Sequence, residues 1–233
     1  MKEDEFVIEK IGQFQVVRDD LHKGGTKRRA LKKMVNFIKE KEFVYACDYY
    51  GHAAYAIALT AQDVGKKVML FYLSPKIETD IFLKTVALSN VEYTIVDGAT
   101  TQIEASKEAI AYAEQHGAHF FPIGLDFPEF QDSLTDVVSS AGIEAPEIWC
   151  LGGSGTLGRS LKRAYPSIPV HVVSVGTANF NGGDCIVYEA PELFDETAHI
   201  LPPYPSSLNY DAKTWRFVAS QAQDGACIWN VAQ

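Results

Sequence analysis

The sequence contains no closely spaced cysteine pair, no long apolar run and no excess of basic residues, and each absence excludes a class of protein. Its four cysteines form no CxxC pair, which excludes a disulfide scaffold and indicates buried thiols in a reducing compartment. The longest apolar stretches are far shorter than the roughly 18–20 residues of a membrane span. With 21 Lys and Arg against 30 Asp and Glu, the net charge of −9 disfavours non-specific nucleic-acid binding.

The remaining composition is typical of a globular protein with a sizeable core. The chain has 233 residues, of which 47% are hydrophobic and 22% are charged. Because its first ten residues are charged and lack the apolar region of a secretion signal, we expect a cytoplasmic protein without membrane partners. A proline-rich stretch at 201–207 predicts a boundary between an α/β core over 1–200 and a tail over 201–233 that packs on it. A smaller subdomain around 45–120 is an option within that core.

Short apolar runs alternate with amphipathic segments along most of the chain. The predicted strands are 43–47, 67–73, 91–96, 118–123, 147–151 and 170–175, and the predicted helices between them are 51–64, 77–88, 102–115, 130–140 and 156–164. This alternation predicts a three-layer α/β fold, with mainly parallel sheets and helices on both faces. In such sheets a ligand lies beyond the carboxyl ends of the strands. We therefore expect the site in the loop before the helix at Lys27 and in the loops 48–52 and 152–156.

A glycine-rich segment joins a predicted strand to a predicted helix at Gly152, Gly153, Ser154, Gly155 and Thr156. Glycine lets the backbone turn tightly and exposes its N–H groups, and a helix N-terminus adds unpaired donors and a partial positive charge. These features favour a phosphate cradle, to which the two hydroxyl groups can also donate. The pattern is neither a Walker loop nor GxGxxG. A tight strand–helix connection without a ligand is the alternative.

Lys27 follows two glycines, at the first turn of a helix that we predict to run to about Lys39, and Thr26 can cap that helix. The positive end of the helix dipole disfavours an ammonium group there. The pKa of the amine is therefore expected to be lowered, which suits a lysine that forms a Schiff base. Two alternatives stay open, because the basic residues between 23 and 33 can form a solvated face or can attract an anionic substrate.

His52 follows Gly51 at the start of a predicted helix, near the same expected edge. A histidine there can hydrogen-bond a ligand oxygen or shuttle a proton, or it can be a capping or core residue. His116 and His119 lie three residues apart across Gly117, so they do not share a helix face. We therefore predict no metal site.

Three segments, taken in order, resemble the fold-type II pyridoxal-phosphate enzymes, the group of tryptophan synthase β, cysteine synthase, threonine dehydratase and aminocyclopropane-carboxylate deaminase. The deaminase and D-cysteine desulfhydrase segment that supplies the cofactor lysine is similar to RDDLHKGGTKRRAL. The helix after the family's SGN turn is similar to YYGHAAYAIALTAQDVGKKVMLF, and the phosphate loop with its next strand is similar to LGGSGTLGRSL followed by PVHVVSVG. The resemblance covers roughly residues 16–176.

The resemblance implies pyridoxal 5′-phosphate as the cofactor, with Lys27 as the Schiff-base and catalytic residue. It places the cofactor phosphate on the loop 152–156. His52 stands where the family has Asn, and the resemblance implies that it contacts the ring hydroxyl of the cofactor. A closing strand would present Asn230 to the pyridine nitrogen, with the serine pair at 206–207 as a rival.

The implied function is that of a lyase or transferase that acts on an amino acid or amine by β-elimination, deamination or β-replacement, commonly as a dimer. The sequence departs from the family in having Thr26 where Asn is usual, and it continues less far past the phosphate loop. Two alternatives stay open, the first of which is favoured by the shorter C-terminus and by His52 in place of Asn, and the second by the loop 152–156 taken alone. The chain could be a catalytically reduced protein that binds pyridoxal phosphate or phosphate, or a nucleotide or phosphosugar enzyme. In the latter case the basic residues 23–33 would face an anionic partner such as a nucleotide-linked amine.

Overall fold

The computed structural model describes residues 5–176 and 180–232. The chain folds into two compact units. The first unit takes the chain up to Arg29 and from Gln131 onward, and the second unit is Ala30–Phe130. The strands are β1 (Ile8–Ile11), β2 (Phe14–Arg18), β3 (Glu42–Cys47), β4 (Lys67–Tyr72), β5 (Val91–Ile95), β6 (His119–Phe121), β7 (Ile148–Gly152), β8 (Val170–Ser174), β9 (Ile186–Glu189) and β10 (Cys227–Asn230). The helices are α1 (Gly25–Met34), α2 (Ala53–Asp63), α3 (Asp80–Val86), α4 (Gln102–His116), α5 (Pro128–Ser139), α6 (Thr156–Ala164) and α7 (Trp215–Gln221).

The first unit is built on a six-stranded sheet in the order β1-β2-β10-β7-β8-β9. All neighbouring strands run parallel except β1, which forms an antiparallel hairpin with β2. Both faces of the sheet are covered at its central strands. Every residue of β7 and β8 is therefore buried. The carboxyl ends of β2, β10, β7 and β8 therefore meet at one edge of this sheet.

The second unit is built on a four-stranded parallel sheet in the order β5-β4-β3-β6. Helix α4 packs small residues such as Ala105 and Ala109 against the sheet around Val44. This helix begins with a capping box between Thr101 and Glu104, and it ends at a left-handed glycine. The sequence signals at both ends of α4 thus set its length.

The predicted fold class is confirmed, since mainly parallel sheets alternate with helices along the chain. Several details differ. Helix α1 ends at Met34 rather than near Lys39, because the chain tightens there into a 3-10 turn over Val35–Phe37. Helix α3 is shorter than predicted because Thr79 caps its start and accepts a hydrogen bond from the Phe82 N–H. The hairpin of β1 with β2 and the edge strand β9 were not predicted. Within the described ranges, no helix is both long and apolar enough to cross a membrane.

Candidate functional site

Three of the sequence-predicted elements lie at the same edge of the first unit's sheet. The segment that leads to Lys27 follows β2, Asn230 ends β10, and the glycine loop, residues 152–156, follows β7. These three strands are consecutive neighbours in the sheet. Neighbouring strands are about 4.8 Å apart, so β2 and β7 are separated by about 10 Å. The parallel topology therefore brings together residues that are far apart in sequence.

Lys27 lies in the first turn of α1, two residues after a pair of glycines with left-handed backbone, Gly24 and Gly25. At Gly25 a side chain would collide with the carbonyl oxygen of Val231, so the helix start packs closely on the chain that leaves β10. The side chain of Lys27 is half-buried. Burial lowers the pKa of its amine, and the negative charge of Asp211 opposes that shift. The direction agrees with the sequence prediction, and burial is its largest cause.

Buried hydrogen bonds fix the start of α1. Thr26 does not act as the predicted cap. Its Oγ1 instead donates to Asp19 Oδ2 at 2.5 Å and accepts from Trp229 Nε1 at 2.9 Å. Arg29 Nε donates to Asp19 Oδ1 at 2.7 Å. Arg28 is also buried, so the interpretation of the basic residues as one solvated face was wrong: two of them point inward to partners on their own chain.

Asp211 is a candidate site residue that sequence reasoning missed. Its carboxyl group is buried, and Oδ2 accepts a hydrogen bond from the Ala232 N–H at 2.9 Å. Burial raises the pKa of Asp211 well above its usual range, and the charge of Lys27 is the largest influence in the opposite direction. A single aspartate at the start of a short helix is common, so the sequence held no signal for this role.

The glycine loop has a fixed backbone shape. Gly155 is left-handed and directly precedes α6, and a side chain there would collide with the backbone carbonyl of Asn181. The Asn181 N–H in turn donates to the Ser154 carbonyl oxygen at 3.0 Å. At Gly153 an added Cβ would lie 3.4 Å from the Tyr210 hydroxyl, which is an ordinary contact. The fold therefore requires glycine at position 155, whereas position 153 can accept a small side chain.

Polar groups of the glycine loop bond to one another and to Tyr210. The Ser154 and Thr156 hydroxyl oxygens are 2.8 Å apart, and the Thr156 N–H donates to Ser154 Oγ at 3.4 Å. The Gly153 N–H donates to the hydroxyl of Tyr210 at 3.1 Å. Tyr210, which the sequence analysis did not single out, thus contacts the loop. The negative charge of its chain neighbour, Asp211, favours the Lys27 ammonium.

Asn230 is buried at the end of β10, and it contacts the rival that the sequence analysis named. Ser206 Oγ donates to Asn230 Oδ1 at 2.7 Å, and Asn230 Nδ2 donates to the Pro205 carbonyl oxygen at 2.9 Å. Asn230 and Ser206 are therefore hydrogen-bonded to each other, although the sequence analysis named them as alternative partners of the pyridine nitrogen.

His52 lies in the second unit, after β3, at the residue that precedes α2. Within the described part of the chain its side chain makes no capping hydrogen bond. The turn before it depends on Asp48, whose Oδ1 accepts from the N–H groups of Tyr50 and Gly51 at 2.7 and 2.6 Å. Burial raises the pKa of Asp48. Over residues 5–176 and 180–232, no three His, Cys, Asp or Glu side chains are grouped so that they could hold a metal ion.

Solved structures with the same architecture cover almost the whole chain. An ACC deaminase homologue has a TM-score of 0.81 at 14% identity, and the match covers 98% of this chain and 89% of that chain. A hydrogen sulfide-producing enzyme from Fusobacterium nucleatum has a TM-score of 0.64 at 12% identity, covering 98% and 95%. The processed form of threonine deaminase isoform 2 from Solanum lycopersicum has a TM-score of 0.63 at 14% identity, covering 94% and 75%. The sequence itself matches no family model and no curated protein.

These similarities establish the fold of the chain. The similar structures have the fold-type II architecture of pyridoxal-phosphate enzymes, and the present chain has that architecture as well. The fold that the sequence resemblance implied is therefore confirmed.

Proposed function

We propose that this chain is a pyridoxal 5′-phosphate-dependent lyase or transferase that acts on a small amino acid or another amine. The reaction class is β-elimination, deamination or β-replacement. The observation that carries the proposal is one shared sheet edge, where Lys27 follows β2 and the glycine loop follows β7, with a single strand between them. The separation of about 10 Å across these strands suits a small ring compound with a phosphate group at one end.

The residues at this edge fit such a cofactor. Its phosphate needs a cradle, its aldehyde needs an amine, and its ring nitrogen needs a polar partner. The glycine loop supplies the N-terminus of the nine-residue helix α6, and Lys27 supplies an amine whose pKa burial lowers. Between them, we propose the hydrogen-bonded pair of Asn230 and Ser206 as the partner of the ring nitrogen. We also propose that His52 contacts the ring hydroxyl.

Each residue then has a chemical task. When bound, the cofactor supplies a conjugated ring that accepts the electron pair of a substrate carbanion. Lys27 would hold the cofactor through its amine, and its free Nζ would move the α-proton of the substrate. The N–H groups of the glycine loop hold the phosphate in place. A lowered pKa keeps more of the Lys27 amine unprotonated and therefore nucleophilic.

The similar structures support this reaction class, because their names include a threonine deaminase, a diaminopropionate ammonia lyase and a hydrogen sulfide-producing enzyme. We also propose a tryptophan synthase β-like cytoplasmic enzyme that forms a homodimer. Three buried free thiols, Cys47, Cys150 and Cys227, support a reducing compartment. The segment from 201 onward would act together with the cofactor-binding core, because it supplies the central strand β10.

A visible absorption spectrum of the purified protein, recorded before and after borohydride, tests the proposal. We expect visible absorption from bound cofactor that reduction abolishes, and turnover with at least one member of an amino-acid panel. A protein that neither retains nor takes up added pyridoxal phosphate would overturn the proposal. Bound cofactor without turnover would instead favour a catalytically reduced binding protein, and phosphate binding alone would favour a nucleotide or phosphosugar enzyme.

A further inference from the structure

Asp19 has a fully buried carboxylate that is bonded to residues on both sides of Lys27. It follows β2 directly and is 0% exposed. Its Oδ2 accepts a hydrogen bond from Thr26 Oγ1 at 2.5 Å, and its Oδ1 accepts one from Arg29 Nε at 2.7 Å. Thr26 directly precedes Lys27, and Arg29 follows it by two residues. One carboxylate therefore joins both flanks of the lysine at the start of α1.

The hydrogen bonds of Thr26 fix the orientation of its side chain. A hydroxyl group has one proton. Thr26 donates that proton to Asp19, and the same oxygen accepts the bond from Trp229 Nε1 at 2.9 Å. All three side chains are buried. The residue next to Lys27 is therefore held to the sheet through Trp229 and to the chain that leaves β2 through Asp19.

Aromatic contacts close these bonds into a ring of five side chains, Asp19, Thr26, Trp229, Phe6 and Arg29. The Arg29 guanidinium lies over the Phe6 ring, 4.5 Å from its centroid. Phe6 in turn meets Trp229 edge to face, with the ring centroids 5.2 Å apart. Asp19 is the member of the ring that bonds to two residues of α1. Its loss would therefore open the ring at two points.

The adjacent carboxylate, Asp20, makes an ion pair of the same kind but holds a different element. Asp20 is also buried, and it accepts from Nε and Nη2 of Arg18 at 2.9 and 2.8 Å. Nη1 of Arg18 donates to Glu9 at 2.6 Å, which ties β2 to β1. Two neighbouring buried aspartates thus differ in what they fix: Asp20 fixes the hairpin, and Asp19 fixes the start of α1.

We propose that Asp19 is a positioning residue for Lys27, which fixes the start of α1 through Thr26 and Arg29 and so sets where the lysine amine lies at the sheet edge. A buried ion pair is a weak source of stability because both charges lose their hydration, whereas its directional hydrogen bonds define one geometry. A reacting group needs such support, since a small misplacement costs much of its rate. The role in catalysis rests on the proposed function of Lys27, whereas the positioning itself does not.

Two ligands that differ at the group that reacts with a lysine test the positioning. Pyridoxal phosphate carries an aldehyde, and pyridoxine phosphate carries an alcohol in its place. In Asp19→Asn, the amide nitrogen cannot accept the hydrogen bond from whichever partner it faces. We expect the dissociation constant of pyridoxal phosphate, measured by equilibrium dialysis, to rise about tenfold, which is about 1.4 kcal/mol, and that of pyridoxine phosphate to stay unchanged. The matched control Asp20→Asn loses an ion pair of the same kind and should change neither constant.

Equal weakening of both ligands in Asp19→Asn would show that Asp19 only supports the fold. Unchanged affinity for pyridoxal phosphate in the folded variant would also overturn the proposal. Should Asp19→Asn fail to fold, Thr26→Val removes the hydroxyl through which the carboxylate acts. It should give the same split between the two ligands, and without that split the proposal is wrong.

The protein without cofactor distinguishes failure of this inference from failure of the proposed function. A wild-type protein that binds neither ligand would contradict the proposed function, and the rate of acetylation at Lys27, read by mass spectrometry, then tests the positioning. Because Lys27 is half-buried, loosening the start of α1 in Asp19→Asn or Thr26→Val should speed its acetylation several-fold relative to the exposed Lys33 on the same helix. An unchanged ratio in these variants, or an equal rise in Asp20→Asn, would overturn the proposal.

Discussion

Trp229 Nε1 donates a hydrogen bond to Thr26 Oγ1 at 2.9 Å, although 203 residues separate them in the sequence. Both side chains are buried. The bond joins β10 to the first turn of α1, one residue before Lys27. The orientation of the candidate catalytic lysine therefore depends on a strand from the far end of the chain.

The first prediction concerns this bond. Trp229→Phe keeps an aromatic ring but removes the donor, so we expect a loss of about 1 kcal/mol in the free energy of unfolding, measured by urea denaturation. The double variant with Thr26→Val isolates the bond, and the coupling energy in that cycle should be about 1 kcal/mol. Additive effects of the two substitutions would contradict the importance of the contact.

The second prediction separates two glycines of the loop. Gly155→Ala places a side chain on a left-handed residue against the Asn181 carbonyl, so it should cost about 2 kcal/mol or more of stability. Gly153→Ala should fold with a nearly unchanged melting temperature, because its Cβ makes an ordinary contact. It should still weaken binding of pyridoxal phosphate, measured by equilibrium dialysis, because the methyl group takes up space inside the glycine loop. Unchanged affinity in Gly153→Ala would count against the cradle.

The third prediction concerns His52. In His52→Asn, which introduces the residue of the resembled family, the bound cofactor should keep its absorption but change the pH dependence of that absorption. His52→Ala should change it further, because no polar group is left for the ring hydroxyl. If His52 is only a packing residue, both variants should lower the melting temperature and leave the spectra identical at every pH.

The fourth prediction is that the protein loses stability in acid because of His171. This residue lies near the amino ends of β7 and β8, at the opposite end of these strands from the candidate site. His171 stacks on Trp149 with ring centroids 4.2 Å apart, and its ring nitrogens face Tyr188 and Glu147. Burial lowers the pKa of His171 below its usual 6.5, and Glu147 opposes the shift. The unfolded chain therefore binds the proton more readily, so the stability contributed by the neutral ring is present above about pH 6.5 and is lost as the pH falls toward the folded pKa.

His171→Phe keeps a stacked ring that cannot be protonated, so the free energy of unfolding should fall less between pH 7 and 5 than in the wild type. Urea titrations at several pH values measure this slope. The exposed His116→Gln provides the control. Equal slopes in His171→Phe and the wild type would show that His171 is not responsible for the pH dependence. His119, whose pKa burial also lowers, accounts for part of what remains.

Much of the fold could be predicted because the relevant signals are local. Apolar runs and their periodicity identified most strands and helices, and α6 was predicted at its observed bounds, Thr156–Ala164. The parallel topology then placed the glycine loop and Lys27 at one edge. In contrast, the insertion of β10 between β2 and β7 depends on pairing between chain ends, which leaves no local pattern.

The parts of the site that could not be predicted are non-local contacts. The hydrogen bond between Gly153 and Tyr210 joins residues 57 positions apart. Nothing near these residues in the sequence distinguishes them from ordinary turn residues. The burial that lowers the pKa of Lys27 also arises only once the chain has folded.

The measurement that most directly tests the central claim is the location of the pyridoxyl group after borohydride reduction of the protein loaded with cofactor. Peptide mapping should place the label on Lys27, and Lys27→Ala should lose it, while the exposed control Lys33→Ala should keep it. The Lys27→Ala protein should still bind phosphate at the glycine loop. A pyridoxyl label on another lysine, or a fully labelled Lys27→Ala variant, would contradict the assignment.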